Sequence, residues 1–362
     1  MQFRNKSLRV RYGIDKRAEK YLPKPAKNAY VVGIESTADD FSVGIVAFDG
    51  KVQANIISAF TPAEGGIHPR EAARHHAEVA GKVIHEAFLK AEVSPSQIEA
   101  VAFSQGPGLG PCLRTGATAA RALASYLNVP LVGVNHSVAH IEIGKLITEA
   151  RDPVTLYVSG GNTIVSAYED GYYRVFGETL DIAVGNCLDA FAREAGLRQK
   201  AGKPFGALVE DLASRGKEFI PLPFTIKGMD LSFSGLLTAA TEALKSRKYS
   251  LEDVCFSLQE VAFSMLSEVT ERALAHTEKP EVLLTGGVAA NRRLQTMLEI
   301  IANEHNASFS VVPKEYALDN GDMIAWTGIL AYKHGLFVPI GKSTVKLKWR
   351  LDQVQVPWVK RG

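Results

Sequence analysis

The segment YVVGIESTADDFSVGIVAFDGKVQANII (residues 30–57) decides the predicted fold, because its pattern occurs again later in the chain. It reads as an apolar strand, a polar loop and a hairpin turning at Asp49-Gly50, a dipeptide that favours tight hairpins. The segment VTLYVSGGNTIVSAYEDGYYRVFGET (residues 154–179) repeats this order, with its turn at Asp170-Gly171. The repetition predicts a duplicated fold in which each copy forms the start of one lobe.

Helical and strand patterns alternate between and after the two copies. Residues 68–91 have helical apolar spacing, with a predicted core face of Ala73, Ala77, Ala80, Ile84 and Phe88. Later strands and helices alternate in the same way, and glycine-rich loops follow several strands. This alternation predicts an α/β fold of two lobes, each a mixed sheet flanked by helices. Ligands of such sheets bind at the carboxyl ends of the strands.

The predicted organisation has four parts. These are a basic tail (1–28), an N-terminal lobe (29–150), a C-terminal lobe (151–340) and a C-terminal segment (341–362). The tail carries nine Lys and Arg against Asp15 and Glu19. We interpret it as a solvated or partner-docked tail, with a phosphate-binding arm as the alternative. Its acids and scarcity of serine disfavour a mitochondrial transit peptide.

Composition limits the class of protein. The chain has 362 residues, 46% apolar and 22% charged, with a net charge of only +2, so a polyanion site requires a local patch. No apolar run is long enough to span a bilayer, and no signal-peptide pattern precedes the first strand. Three cysteines without a CxxC pair indicate a reducing compartment, so we expect a cytoplasmic protein without a membrane segment.

The segment NHSVAHIEIG (135–144) places His136 and His140 four residues apart on one predicted helix. Side chains at this spacing share a helix face, so both imidazoles can reach one metal ion. The pair alone is a weak signal, since two histidines on a helix commonly belong to the surface or the core. Ser137 stands where the HExxH motif has its general-base glutamate, which disfavours a metalloprotease of that type.

Two glycine loops follow apolar strands, at residues 159–163 (SGGNT) and 285–291 (TGGVAAN). Glycines let backbone amides approach phosphate oxygens, and a helix begins directly after the second loop. Neither loop matches the Rossmann or P-loop pattern, and tight turns are the simpler explanation for either loop alone. The acids available for metal or ribose contacts near strand ends or helix starts are Glu35, Asp39, Asp40, Asp181, Asp189, Glu210 and Asp319.

Eight motifs occur in an order that resembles one known family. They are GIESTADD, HPREAARHH, SQGPGLGPCLRTG, NHSVAH, YVSGGNT, GMDLSFSGL, TGGVAANRRL and DNGDMIAWTG. Together they resemble the tRNA N6-adenosine threonylcarbamoyltransferases, once described as O-sialoglycoprotein endopeptidases. Tyr157 and Asn162 resemble the archaeal and eukaryal branch, the catalytic subunit of the KEOPS complex. The resemblance extends from about residue 30 to the C-terminal VPWV.

The resemblance implies an actin-like ATPase (ASKHA) fold and a specific reaction. A threonylcarbamoyl group moves from threonylcarbamoyl-adenylate to N6 of the adenosine beside the tRNA anticodon, and AMP leaves. His136, His140 and Asp319 match the catalytic metal ligands, and Tyr157 matches a tyrosine that completes the metal or substrate shell. The ligand set suits one divalent ion, Fe²⁺ or Zn²⁺.

The resemblance also implies an adenine-nucleotide site, in which ATP or ADP can replace the adenylate. We expect Asp189 and Glu210 to hold ribose hydroxyls, and the glycine loops to hold phosphate. The residues carried over are Tyr157, Ser159, Gly160, Gly161, Asp189, Gly206, Glu210 and Asn291. Two departures from the family pattern bear on these expectations. The KAGKPFGALVE region is longer than usual, and Asp322 replaces a small residue, which makes Asp322 a rival ligand to Asp319.

The implied partners are tRNA and two KEOPS subunits, a small kinase-like ATPase and a dimerising subunit. The alanine-rich helices at 72–90 and 114–127 are candidate docking faces, and the Arg292-Arg293 pair is a candidate basic patch. Two alternatives remain open within the superfamily. One is a sugar or acetate kinase, which has no need of the histidine pair. The other is a nucleotide-gated scaffold, which keeps its function without His136.

Overall fold

A computed structural model describes residues 28–61, 67–198 and 204–359. The described residues form two compact units, the first made of those up to Leu146 and from Asp319 onward, and the second of those from Ile147 to Leu318. The predicted basic tail comprises residues 1–28. Residues 1–27 of it lie outside the described part of the chain. No helix within the described ranges has the length and apolar character needed to cross a membrane.

The first unit is built on a five-stranded sheet in the order β3-β2-β1-β4-β5. The hairpin strands pair antiparallel, whereas β1, β4 and β5 run parallel. The strands are β1 (Tyr30–Glu35), β2 (Asp40–Ala47), β3 (Val52–Ala59), β4 (Ile98–Gly106) and β5 (Leu131–Asn135). The helices are α1 (Pro69–Ala91), α2 (Gly110–Leu127) and α3 (His136–Thr148), and a later helix, α10 (Gly321–Lys333), joins them.

The second unit repeats this topology, with the sheet order β12-β11-β6-β7-β8. Its sheet strands are β6 (Val154–Val158), β7 (Thr163–Glu169), β8 (Tyr172–Glu178), β11 (Glu281–Thr285) and β12 (Ser308–Val311), and a small pair is β9 (Ile226–Lys227) with β10 (Asp230–Leu231). Its helices are α4 (Val184–Glu194), α5 (Phe205–Ala213), α6 (Ser234–Lys245), α7 (Leu251–Thr277), α8 (Arg292–Glu304) and α9 (Lys314–Ala317). The duplication and the two mixed sheets predicted from the sequence are therefore confirmed.

Helix α10 packs directly on the first sheet through glycines. A Cβ at Gly33 on β1 would lie 2.2 Å from the Ala325 nitrogen, and one at Gly44 on β2 would lie 2.4 Å from the Asp322 nitrogen. Only glycine permits this backbone approach. The second unit ends at Leu318 and α10 belongs to the first, whereas the predicted C-terminal lobe runs to residue 340; the predicted lobe boundaries stay predictions.

The buried face of α1 lies one residue away from the predicted one. Its buried residues are Ala72, His76, Val83 and Ala87. The predicted Ala77 is exposed, whereas Ile84 and Phe88 pack at the edge of the core. The difference arises because a histidine, His76, occupies the inward face, and an apolar pattern does not count it.

Candidate metal centre and nucleotide loops

Asn135 sets the direction of the helix that carries both histidines. It is the last residue of β5, and its Oδ1 accepts hydrogen bonds from the Ser137 and Val138 amides at 3.0 and 3.1 Å. Such a cap satisfies amides that have no partner within the helix. Its Nδ2 donates to the Trp349 carbonyl at 3.0 Å. The start of α3 is therefore held by strand β5 and by the C-terminal segment.

Three ligand atoms converge inside the first unit. His140 Nε2 lies 3.2 Å from His136 Nε2 and 3.1 Å from Asp319 Oδ1, and His136 Nε2 lies 3.5 Å from the same oxygen. Both imidazoles are buried, and Asp319 directly precedes Asn320, the cap of α10. The sequence-predicted trio is thus brought together from two distant parts of the chain.

Glu35 and Thr37 hold the outer nitrogen of His136. Glu35 Oε2 lies 3.1 Å from His136 Nδ1, and the Thr37 hydroxyl lies 3.3 Å from it. The Thr37 amide donates to the other Glu35 oxygen at 2.6 Å, which fixes the carboxylate. A carboxylate only accepts hydrogen bonds, so Nδ1 carries a proton and Nε2 faces the trio. Carboxylate–histidine pairs of this kind orient metal ligands in many sites.

The charges of the trio are strongly linked. Burial disfavours a charged His136, but Glu35 and Asp319 outweigh burial and raise its pKa to about 9. Burial lowers the pKa of His140 despite its hydrogen bond with Asp319. Burial alone would raise the pKa of Asp319, but His136 and His140 lower it to about 2. The raised pKa favours a proton on His136 that a bound cation would have to displace.

The trio has the donor set and spacing of a metal centre. Two imidazole nitrogens and one carboxylate oxygen suit zinc or ferrous iron, and tetrahedral ligands at about 2.1 Å from an ion lie about 3.4 Å apart. The observed separations of 3.1 to 3.5 Å agree with this value. Among the residues that the structure describes, these three form the cluster of His, Cys, Asp or Glu able to hold an ion.

Asp322 lies outside this cluster. Its carboxyl is buried in the first turn of α10 against Gly44, and burial raises its pKa to about 8. Its Oδ1 has no hydrogen-bond partner within the described ranges. The described residues therefore give no geometric support to Asp322 as a rival of Asp319.

The first glycine loop of the second unit is a tight turn. The Ser159 amide donates to the Asn162 carbonyl at 2.8 Å, and the Asn162 amide donates to the Ser159 hydroxyl at 3.0 Å. Gly160 and Gly161 are exposed. A Cβ at Gly185 would lie 2.5 Å from the Ser159 carbonyl oxygen, so the start of α4 packs on this turn.

Two of the other predicted nucleotide residues, Asn291 and Glu210, lie at the start of α8. Asn291 Oδ1 caps that helix through the Arg293 and Leu294 amides, and its Nδ2 donates to Gln259 at 2.9 Å. Glu210 Oε1 accepts from the Arg292 amide at 2.8 Å. A carboxylate here occupies the position where a helix start attracts anions.

Asp189 on α4 lies beside the start of α5. Burial raises its pKa, while the positive charge of Arg193 and a hydrogen bond from the Gly206 amide oppose that shift. Tyr157 is buried on β6 in the same unit, and its hydroxyl accepts a 3.3 Å hydrogen bond from Asn162. The predicted roles of all these residues in binding nucleotide, and of Tyr157 in the metal shell, stay predictions.

Sequence reasoning did not identify the partners that orient the metal ligands. Glu35 was one of several acids at strand ends, but nothing assigned it to His136. Strands β1 and β5 both flank β4, so their carboxyl ends meet at one edge of the sheet. The adjacency of these strands is the sequence feature that could have linked Glu35 to His136. The position of Asn135 directly before a predicted helix is the feature that could have identified it as the cap of α3.

The topology and the paired sheets define a protein of the actin-like ATPase fold. HypF of T. kodakarensis is similar over 85% of this chain and 48% of its own, with a TM-score of 0.59 and 15% identity. Component A of (R)-2-hydroxyglutaryl-CoA dehydratase from Acidaminococcus fermentans covers 84% of this chain and 99% of its own, at a TM-score of 0.51 and 14% identity.

Sequence comparison identifies the family. The family model of the tRNA N6-adenosine threonylcarbamoyltransferases matches residues 51–326. The enzyme of that name from Thermofilum pendens is 54% identical over 91% of this chain and 97% of its own. A probable bifunctional tRNA threonylcarbamoyladenosine biosynthesis protein of Methanocaldococcus jannaschii is 55% identical over 91% of this chain, which spans 60% of that longer protein. The chain belongs to the tRNA N6-adenosine threonylcarbamoyltransferase family.

Proposed function

We propose that this enzyme transfers a threonylcarbamoyl group from threonylcarbamoyl-adenylate to N6 of the adenosine beside the anticodon of tRNA. The C–O bond between the carbamoyl carbon and the phosphate oxygen breaks, a C–N bond to the adenine amine forms, AMP leaves with the phosphate oxygen, and the amine releases one proton to solvent. The observation that carries the proposal is the convergence of His136, His140 and Asp319 in a chain of this family.

His136, His140 and Asp319 would hold one Zn²⁺ or Fe²⁺ ion. Such an ion supplies Lewis-acid polarisation of a bound carbonyl or carboxylate. Glu35 keeps the proton of His136 on Nδ1, and Asn135 holds the helix that presents both rings. Tyr157 is proposed to complete the metal or substrate shell, as the family resemblance implies.

The adenylate is proposed to bind in the second unit. The exposed turn at Gly160 and Gly161 offers backbone amides to phosphate, and Asp189 and Glu210 would accept hydrogen bonds from ribose hydroxyls. Glu210 already accepts from the Arg292 amide, and Asn291 caps the same helix. These two residues therefore also hold the start of α8, in addition to any contact with the ligand.

The KEOPS partners, a kinase-like ATPase and a dimerising subunit, are proposed to assist transfer to tRNA. The helices predicted as docking faces each bury one face in the core, and on them Leu89 of α1 is 63% exposed and Tyr126 of α2 is 82% exposed. Two such apolar side chains give a partner separate points of contact on these helices. A sugar kinase or a nucleotide-gated scaffold explains neither the buried trio nor its Glu35 partner.

The test uses metal-loaded full-length protein, synthetic threonylcarbamoyl-adenylate and unmodified tRNA, with and without the partner subunits. Mass spectrometry of the digested RNA detects threonylcarbamoyladenosine. We expect the modified nucleoside with wild type, and its loss in both His136→Ala and His140→Ala. Absence of the nucleoside from wild type with all partners present, while ATP still binds, would favour the kinase or scaffold instead.

A further inference from the structure

A basic segment crosses the first unit after α10. We call residues 341–350 (GKSTVKLKWR) the C-terminal strap; it carries four basic side chains and no acidic one. Lys342, Lys346, Lys348 and Arg350 are all exposed. The strap is held by its backbone, since the Lys346 amide donates to the Gln105 carbonyl at 2.7 Å and Gln105 Nε2 donates to the Thr344 carbonyl at 2.8 Å.

Helix α2 adds two arginines to the same surface. Arg121 donates to the Ser343 carbonyl at 2.7 Å and to its hydroxyl at 2.8 Å. A Cβ at Gly110 would lie 3.1 Å from Leu347 Cδ2 and 3.4 Å from Arg114 Nη1, so the exposed Arg114 lies beside the strap. Helix α2 contains no Asp or Glu. Six basic residues are thus concentrated on one surface of a chain whose net charge is only +2.

Several of these cations are available to a ligand. The side chains of Arg114, Lys342 and Lys348 have no hydrogen-bond or ion-pair partner within the described part of the chain. Arg350, in contrast, pairs with Asp352 at 3.1 Å. Lys346 lies 3.8 Å above the ring of Trp349, a half-buried aromatic residue within the strap.

The strap lies next to the residues that hold the metal trio. The Gly108 amide faces the Leu347 carbonyl at 3.4 Å, the Leu109 amide donates to the Thr37 carbonyl at 2.7 Å, and Thr37 contacts His136. A second connection is shorter, since the Trp349 carbonyl accepts from Asn135, the residue before His136. The basic surface and the metal centre therefore share one edge of the sheet.

We infer that Arg114 and the lysines of the strap bind the phosphate backbone of the tRNA anticodon arm while the target adenosine is at the metal centre. This inference rests on the proposed function, which requires an RNA to approach that edge. Lys and Arg contacts to phosphate supply most of the non-specific affinity for nucleic acid and fix its register. Trp349 places an aromatic ring beside these basic side chains. RNA-binding sites commonly combine basic and aromatic residues in this way.

The predicted basic patch of the second unit, Arg292-Arg293, has less positive charge available to bind RNA. Of the Arg292-Arg293 pair, Arg293 forms a bidentate bond with Glu260, with both contacts at 2.7 Å. That neutralisation leaves Arg292 as the exposed cation of the pair. The strap therefore has more unpaired positive charge available to phosphate than the Arg292-Arg293 pair has.

The test compares two double variants of the full chain, each of which loses two positive charges. Arg114→Ala/Lys348→Ala changes the proposed surface, whereas Lys51→Ala/Lys248→Ala removes two exposed lysines elsewhere. The dissociation constant for unmodified tRNA is measured by filter binding across a salt series. At 0.1 M salt we expect the strap variant to bind about fivefold to tenfold more weakly for each lost contact, with the logarithmic salt slope reduced by about 0.7 to 0.9 per contact.

The control variant should keep the affinity and the salt slope of wild type, and both variants should keep the metal content and the nucleotide affinity of wild type. Equal loss in the two variants, or an unchanged slope in the strap variant, would overturn the inference and leave the surface to an acidic protein partner. The binding result is separate from catalysis. If wild type forms modified nucleoside while the strap variant keeps full tRNA affinity, only the inference about the strap fails.

Discussion

His136 Nδ1 lies 3.1 Å from Glu35 Oε2, and the two residues stand at the carboxyl-end side of β5 and β1, the strands that flank β4. The pair orients a proposed metal ligand through a residue that lies outside the trio. Glu35 is fully buried, and its second oxygen is held by the Thr37 amide. The carboxylate can therefore present only an acceptor to His136.

Glu35→Gln should weaken metal binding about tenfold to a hundredfold, the usual cost of losing such a partner. The amide NH₂ of glutamine would donate to Nδ1 and move the imidazole proton to Nε2, the atom that must bind the ion. Competition with a chromophoric chelator measures the dissociation constant. Glu99→Gln on β4 is the control, since Glu99 accepts from Tyr332 rather than from a histidine. Equal metal affinity in wild type and Glu35→Gln would contradict the assigned role.

Asn135→Ala should reduce both stability and metal affinity. The cap of α3 is worth about 1 kcal/mol, and the same substitution releases the Trp349 carbonyl. Ser250→Ala is a matched control, because Ser250 caps α7 in the second unit through the Asp253 amide. Urea unfolding and metal titration are measured on both variants. We expect similar losses of stability but weaker metal binding only in Asn135→Ala; weaker binding in both would indicate a general effect of destabilisation.

Asp322→Asn should remove a pH dependence from the stability. The native pKa of Asp322 is about 8, whereas the unfolded carboxyl has its ordinary value of 3.8. Between these values the native state retains a proton that the unfolded state has lost. Asp322 therefore lowers the free energy of unfolding by about 1.4 kcal/mol for each pH unit from about 4 to 8.

Urea unfolding of wild type and Asp322→Asn at pH 5, 6, 7 and 8 measures that contribution. The gain in stability from the asparagine should grow with pH over this range. A constant difference between the two proteins would show that Asp322 ionises normally in the native state.

Asp189→Asn should weaken adenine-nucleotide binding about tenfold or more, because hydrogen bonds from ribose to a carboxylate are worth about 1.5 to 3 kcal/mol. Metal content should be unchanged, since Asp189 lies in the second unit and the trio in the first. Calorimetric titration with ADP measures the affinity. Asp211→Asn on the neighbouring helix α5 provides the control. If both variants bind ADP as wild type does, Asp189 is not a ribose ligand.

The sequence predicted the parts of the fold that depend on local patterns. The two hairpins have turn dipeptides that require positive φ at Gly50 and Gly171, and both turns occur as predicted. The trio was predictable only through resemblance, because Asp319 joins the histidines by tertiary contact. The placement of α10 was not predicted. It depends on close approaches at Gly33 and Gly44, which no periodicity reveals.

The orientation of the metal ligands was also beyond sequence patterns. Glu35 and Asn135 are separated by about one hundred residues, and they act together only because two strands end at the same edge of the sheet. Apolar periodicity likewise misplaced the core face of α1, since it gives no weight to a buried histidine such as His76.

The central claim is that a metal held by His136, His140 and Asp319 is required for transfer, and titrating metal back into chelator-treated enzyme tests it most directly. Zn²⁺ and Fe²⁺ are added separately, and bound metal and threonylcarbamoyladenosine formation are measured on the same samples. We predict one ion per chain, activity in proportion to occupancy with at least one of the two metals, and neither binding nor activity in His140→Ala. Full activity in metal-free enzyme, or stoichiometric binding retained by His140→Ala, would contradict the account.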